Sequence, residues 1–208
     1  MWTDSYLAFD CETTGLDERA RIVEIAVVRF ERGVPVREWA ELVCPPDVDW
    51  ENIDVRRALE VNKLTPDALR GKPTFEALIP TLEAELSHEV WVAHNAEFDV
   101  KMLNQELARL GRPAVAPKLL VCTRDLGSHF NDGPTGNRLF EVAARYGIAQ
   151  SDAHRAAVDA RTCGLILAAM LQTGKLPADD AAMAAFIQTA ADAWKAKRRA
   201  SRANTIKM

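Results

Sequence analysis

The sequence predicts an α/β fold: a mixed five-stranded sheet, an antiparallel meander followed by β-α units, flanked by helices. Two observations lead to it. The first third of the chain holds three strand-like runs whose connections are too short for a crossover, so the strands are antiparallel neighbours. From residue 90 onward, short apolar runs alternate with amphipathic helical stretches, the pattern of helices laid on the faces of a sheet. At 208 residues the chain can bury about 70% of its unfolded surface and needs neither disulfides nor a structural metal.

The elements follow in order. Ser5 to Glu12 reads as a strand, Ile22 to Phe30 as a second, and Glu31-Arg32-Gly33 as the hairpin turn into a third, Val34 to Val43. Cys44-Pro-Pro ends the meander. Residues 47–62 are irregular, with a short helix near Val55 to Leu59. Thr65-Pro66-Asp67 supplies an N-cap, a first-turn proline and an early acid. Thr74 opens a helix to about Leu86, with Pro80 placed to kink it. Val90 to Ala93 is a strand, and Asn95 caps a helix ending at Gly111. Leu119 to Thr123 is the fifth strand. Helices follow at Arg138 to Tyr146 and Ala153 to Leu171. These segments form one domain, residues 1–176, and residues 177–208 form an appendage. The appendage is an alanine-rich helix, Ala178 to Lys197, running into a frayed basic tail with six basic residues and no acid after Trp194. Met183, Phe186, Ile187 and Trp194 fall along one side of that helix and would pack on the core or on another subunit.

Composition narrows the function. The net charge of −4 excludes a simple basic nucleic-acid-coating protein. It is a sum of unlike parts, because residues 1–194 carry 20 basic and 30 acidic side chains while the last fourteen carry +6. The four cysteines form no C-x-x-C pair, which argues for reduced thiols rather than a zinc site. The first residues show no positive n-region or h-region, and no apolar run approaches the ~20 residues of a membrane span, so the expected location is the cytoplasm.

The acids carry the chemistry. In Phe9-Asp10-Cys11-Glu12-Thr13-Thr14-Gly15, Asp10 and Glu12 lie two apart on a strand and project from one face, about 7 Å apart. Adjacent carboxylates repel, and a hard divalent cation held by oxygens is the simplest compensation. In His94-Asn95-Ala96-Glu97-Phe98-Asp99 a strand ends, a helix begins, and Asp99 lies one turn in. His154 and Asp159 are separated by about 140° on an ideal helix. They converge only if the histidine lies in or before the first turn, where Ser151-Asp152 would cap.

In the order D-x-E-T-T-G, H-N-x-x-F-D and H-x-A-x-x-D, the chain resembles the DEDDh 3′→5′ exonucleases over residues 5–172. That family includes the proofreading epsilon subunit of bacterial replicative polymerase, RNase T and oligoribonuclease. The likeness extends to the segments from Ala58 to Thr65 and from Lys72 to Phe75. The tyrosine variant of the superfamily would carry its tyrosine where this chain has Arg155. The resemblance implies an RNase H-like fold and two divalent ions, Mg²⁺ or Mn²⁺. Asp10 would bridge both, Glu12 and Asp159 would hold one, and Asp99 would help hold the other. His154 would be the general base; an imidazole, with an ordinary pKa of about 6.5, suits that task near neutral pH.

The resemblance also implies that Thr13 and Thr14 contact the terminal sugar and phosphate, that Leu16 wedges against the terminal base, and that Phe98 walls the pocket. Asn95 and Asn62 join this substrate set. Asn62 stands where the epsilon subunit commonly has histidine, and it can hydrogen-bond but not carry charge. The expected substrate is the 3′ end of single-stranded DNA, with a polymerase or another protein as a candidate partner. An exoribonuclease and a catalytically silent nucleic-acid-binding module stay open as alternatives. No clamp-binding Gln-x-x-Leu-Phe motif follows residue 172.

Overall fold

The computed structural model describes residues 2–131, 136–150 and 154–205. Its strands are β1 (Ser5–Thr13), β2 (Ile22–Glu31), β3 (Val34–Leu42), β4 (Val90–Ala93) and β5 (Leu119–Cys122). They form one sheet in the order β3-β2-β1-β4-β5. The meander β1-β2-β3 is antiparallel, whereas β4 pairs parallel with both β1 and β5. At the hairpin between β2 and β3, Arg32 and Gly33 both have positive φ, 49° and 78°. That is the primed turn whose twist matches the strands it joins.

The helices are α1 (Ile53–Val61), α2 (Pro66–Leu69), α3 (Phe75–Glu85), α4 (Ala96–Arg109), α5 (Thr123–His129), α6 (Leu139–Arg145), α7 (Ala156–Gln172) and α8 (Asp180–Thr205). Thr65 and Thr74 cap α2 and α3 through their hydroxyls, as the sequence indicates. The sheet divides the core by strand alternation. Leu7 and Phe9 face α3 and α4, in one cluster with Phe75, Ile79 and Met102. Tyr6 and Ala8 face the opposite side, with Cys163, Ile166 and Met170 of α7 and Met183 of α8. Asp10 and Glu12 share the parity of Tyr6 and Ala8, so β1 aims both acids at the α7 side.

Close packing sets α7 against the sheet. Phe30 stacks on Tyr6 with ring centroids 5.0 Å apart, and the Tyr6 hydroxyl donates to the Gly164 carbonyl at 2.9 Å. A Cβ at Gly164 would stand 2.1 Å from the Phe30 ring, so only glycine permits this approach.

Three expectations need correction. The fifth strand stops at Cys122, and Thr123 begins α5, which the sequence conceals because Gly127 and Ser128 are weak helix formers. Packing of the buried Leu126 compensates. Helix α7 begins at Ala156 rather than Ala153. The tail after Lys195 is not frayed: α8 runs on to Thr205. Its alanine, lysine and arginine are strong helix formers, no glycine or proline interrupts them, and Lys197 donates to the Ser128 carbonyl at 2.9 Å. Lys207 lies outside the described residues. The apolar side of α8 packs on this chain's own core, with Met183 and Ala190 buried and Phe186 against Phe130. Among the described residues no helix is long and apolar enough to cross a membrane, and the four cysteines are free.

Candidate active site

Three element ends meet at one cleft. The central strand β1 delivers Asp10 and Glu12 at its C-terminal end, just before a register shift between Glu12 and Thr13. From β4 the chain reverses into α4 through Asn95, which adopts the left-handed conformation (φ 68°, ψ 42°). Asn95 therefore makes no side-chain cap, contrary to expectation; its Oδ1 accepts from the Arg124 guanidinium instead. The reversal seats the first turn of α4 beside β1, where Asp99 Oδ1 accepts from the Cys11 backbone N–H at 3.2 Å and from its thiol at 3.4 Å.

On the other side His154 precedes α7, also with positive φ, 66°. It lies before the first turn, the placement that convergence with Asp159 demands. Its backbone N–H donates to Asp159 Oδ2 at 3.3 Å, and Gln150 Nε2 donates to Asp159 Oδ1 at 2.5 Å. The N-cap of α7 is Arg155; the expected capping pair Ser151-Asp152 lies outside the described residues.

Donor atoms of Glu12, His154 and Asp159 lie within 4.8 Å of one another. Asp10, Glu12, Asp99, His154 and Asp159 all line a cleft of about 710 Å³, with Phe98 in its wall. Burial pushes every one of the four carboxyls upward. Glu12 rises to about 8, through burial and then Asp159, Glu24 and Asp99. Asp99 rises to about 7, although its bonds from Cys11 pull the other way. Asp10 is raised well above the carboxylate range by burial and by four neighbouring acids, Asp99, Glu12, Asp159 and Glu24, and Asp159 is raised by burial. Oxygen donors that strain to shed negative charge fit a hard divalent cation, so the residues present suit the metal that the motif order implies.

The remaining expected residues lie off the cleft lining. Thr13 and Thr14 are buried and shape the turn after β1. The Thr13 hydroxyl donates to the Gly15 carbonyl at 2.7 Å, and the Thr14 hydroxyl accepts from the Arg21 N–H at 2.9 Å. Asn62, also buried, donates to the Thr13 carbonyl at 3.0 Å and so buttresses that turn from beneath. Leu16 projects from it, 79% exposed.

Some contributors escaped sequence reasoning. Glu24 of β2, buried opposite Glu12, holds Arg155 Nη2 at 2.9 Å and the Ala156 N–H at 3.3 Å. It thereby pins the start of α7 to the sheet. An acid inside the apolar run Ile22-Val23-Glu24-Ile25-Ala26 was the available signal. Arg124 and Trp194 also line the cleft, and nothing local in sequence marks them. His94 is structural: its ring bridges Thr123 Oγ1 at 3.0 Å and the Asn137 carbonyl at 2.9 Å, and burial lowers its pKa to about 4.

The chain as a whole is similar to known exonucleases and polymerase subunits. An exonuclease family model of the RNase T type matches residues 7–167. The DNA polymerase III subunit epsilon of Treponema pallidum (strain Nichols) is 33% identical over 174 residues, spanning 80% of this chain and 76% of that protein. The PolC-type DNA polymerase III of Clostridium perfringens is 30% identical over 165 residues, but the match spans only 11% of that much longer protein. Among solved structures, exonuclease X in complex with 5′-overhanging duplex DNA superimposes with a TM-score of 0.67 at 26% identity, covering 86% of this chain and 97% of that one. The nuclease domain of 3′hExo, a DEDDh family member bound to rAMP, shares the fold with a TM-score of 0.67 at 16% identity, covering 83% and 94%. On an RNase H-like sheet, with the motif order intact, this chain belongs to the exonuclease family and is a 3′→5′ exonuclease of the DEDDh type.

Proposed function

We propose that the chain releases nucleoside 5′-monophosphates one at a time from the 3′ end of single-stranded DNA. In this reading Asp10, Glu12, Asp99 and Asp159 hold two divalent ions, Mg²⁺ or Mn²⁺, and His154 is the general base. The observation that carries it is the convergence of four carboxyls, three of them buried and Asp10 half-buried, all raised, with an exposed imidazole at the same cleft. The family is divalent-metal dependent, and the ions supply positive charge at the attacking and leaving oxygens of an in-line displacement.

The chain's own residues do the rest. The His154 ring accepts the proton of the attacking water, while the bond from its backbone to Asp159 keeps it beside the acids. Gln150 and Cys11 orient the carboxylates of Asp159 and Asp99. The turn from Thr13 to Leu16, braced by Asn62, receives the terminal nucleotide, with Leu16 against its base and Phe98 in the wall. DNA is favoured because the Treponema relative is a DNA polymerase III subunit and exonuclease X was solved with DNA. The same relative supports a polymerase as a partner.

The test is a digestion series on 5′-labelled single-stranded DNA and RNA of one sequence, with Mg²⁺, Mn²⁺ or EDTA. The expected result is a 3′→5′ ladder on DNA with either metal and none with EDTA, with Asp10→Ala losing both the ladder and Mn²⁺ binding. A stronger ladder on RNA would move the assignment to an exoribonuclease. No ladder on either would sink it.

A further inference from the structure

Helix α8 lies beyond the residues that the family model matches, 7–167, yet it builds part of the active cleft. Trp194 lines that cleft together with Arg124, Arg138 and Phe140. The Arg124 guanidinium sits 5.1 Å from the centre of the indole ring and also bonds Asn95 at the β4-α4 reversal. Trp194 is thereby tied to the loop that positions Asp99. Its indole N–H is buried and meets no acceptor among the described residues. Phe140 is 51% exposed at the same cleft.

The helix continues this wall outward. Arg198 lies four residues, about 6 Å, beyond Trp194 on the same face. Arg198 and Arg199 are both exposed, and no acid follows Asp192. Meanwhile Lys195 pairs with Glu97 at 2.8 Å and Lys197 bonds the Ser128 carbonyl, which hold the helix against the cleft. Aromatic rings interleaved with guanidinium groups, leading away from a cluster of acids, match a polyanion that carries flat bases.

We propose that Trp194, with Arg124 and Phe140 beside it and Arg198 beyond, binds the single-stranded polynucleotide upstream of its 3′-terminal nucleotide. A base stacks at Trp194 and a phosphate pairs with Arg198. This rests on the exonuclease reading only in placing the 3′ end at the acids. The wall makes affinity grow with substrate length, because a dinucleotide ends before reaching Arg198 and an octanucleotide does not.

Fluorescence anisotropy of the full chain with 5′-labelled oligothymidylates of two, four and eight nucleotides tests this, in EDTA at pH 6.5 so that no turnover occurs. Loss of one stacked base corresponds to about 5- to 150-fold in affinity. Trp194→Ala is expected to lose that factor for the octanucleotide and far less for the dinucleotide, with Trp194→Phe restoring most of it. Arg198→Glu alters an exposed side chain and leaves melting unchanged. Its octanucleotide affinity should fall and its salt slope should drop by about 0.7 per lost phosphate contact. Oligouridylates should show the same length pattern. Unaltered octanucleotide binding in both Trp194→Ala and Arg198→Glu, or equal weakening at every length, overturns the proposal. A wild-type chain that binds with this length dependence but gives no digestion ladder supports the wall and sinks only the nuclease reading.

Discussion

The crowding of acids in the cleft predicts that the metal-free enzyme becomes less stable as the pH rises, and that Glu12→Gln removes much of this loss. Glu12 ordinarily titrates at 4.5 and is pushed up to about 8, first by burial and then by Asp159, Glu24 and Asp99, with Arg155 opposing. Between those values the folded chain keeps a proton that the unfolded chain has released, so raising the pH favours unfolding. The contribution is complete below 4.5 and is lost as the pH passes through about 8. That interval corresponds to a ceiling of about 5 kcal/mol at about 1.4 kcal/mol per pH unit. For a chain of this length 1 kcal/mol moves the melting temperature by about 2–4 °C.

Glutamine keeps the shape and cannot ionise. In EDTA, calorimetric melts of wild type and Glu12→Gln should coincide within about 2 °C at pH 5, and the variant should melt at least about 5 °C higher at pH 8.5. Adding Mn²⁺ should narrow the gap at pH 8.5. Wild type gains about 2.7 kcal/mol at one hundred times its dissociation constant, while the variant, missing a ligand, gains less at the same concentration. A difference between the two proteins that does not change with pH would refute the reasoning.

The other predictions concern proton transfer, positioning and packing. His154→Ala should lower turnover by about 10²- to 10⁴-fold while calorimetric Mn²⁺ affinity stays within a few-fold; loss of metal affinity instead would make the imidazole a ligand. Glu24→Gln leaves Arg155 and the Ala156 N–H to share one neutral acceptor. It should cost about 1–3 kcal/mol in urea unfolding and reduce turnover by disordering the start of α7, and unchanged turnover would show that Glu24 does not position His154. Gly164→Ala drives a methyl group into the Phe30 ring and should destabilise by about 2–3 kcal/mol, read from the urea midpoint. An unshifted midpoint would contradict the approach of α7 to β2.

Much of this molecule is legible along the chain because its determinants are local. Alternation in Tyr6-Leu7-Ala8-Phe9 assigns each face of β1, and the same period of two places Asp10 and Glu12 together. Arg32-Gly33 specifies the hairpin, and the threonines before α2 and α3 specify their starts. Even the position of His154 follows from the 140° argument, since an ideal helix could not bring it to Asp159. Local rules fail where a residue's partner is distant. Asn95 looks like a cap, but the tight reversal from β4 to α4 forces it into a left-handed conformation and turns its side chain to Arg124. Helix α5 has weak helical propensity and forms because Leu126 is buried beneath α6 and α8. The extent of α8 was hidden behind its charge, although its residues favour helix throughout.

The sequence by itself determined the order of the elements, the faces of the strands and the pairing of acids two residues apart, because each depends on backbone geometry within a few residues. The tertiary structure alone decided that Glu24 clamps Arg155 across 131 positions and that Trp194 reaches the cleft that begins at Asp10. Those contacts arise from packing between elements far apart in the chain, and no local pattern of residue types encodes the distance between them.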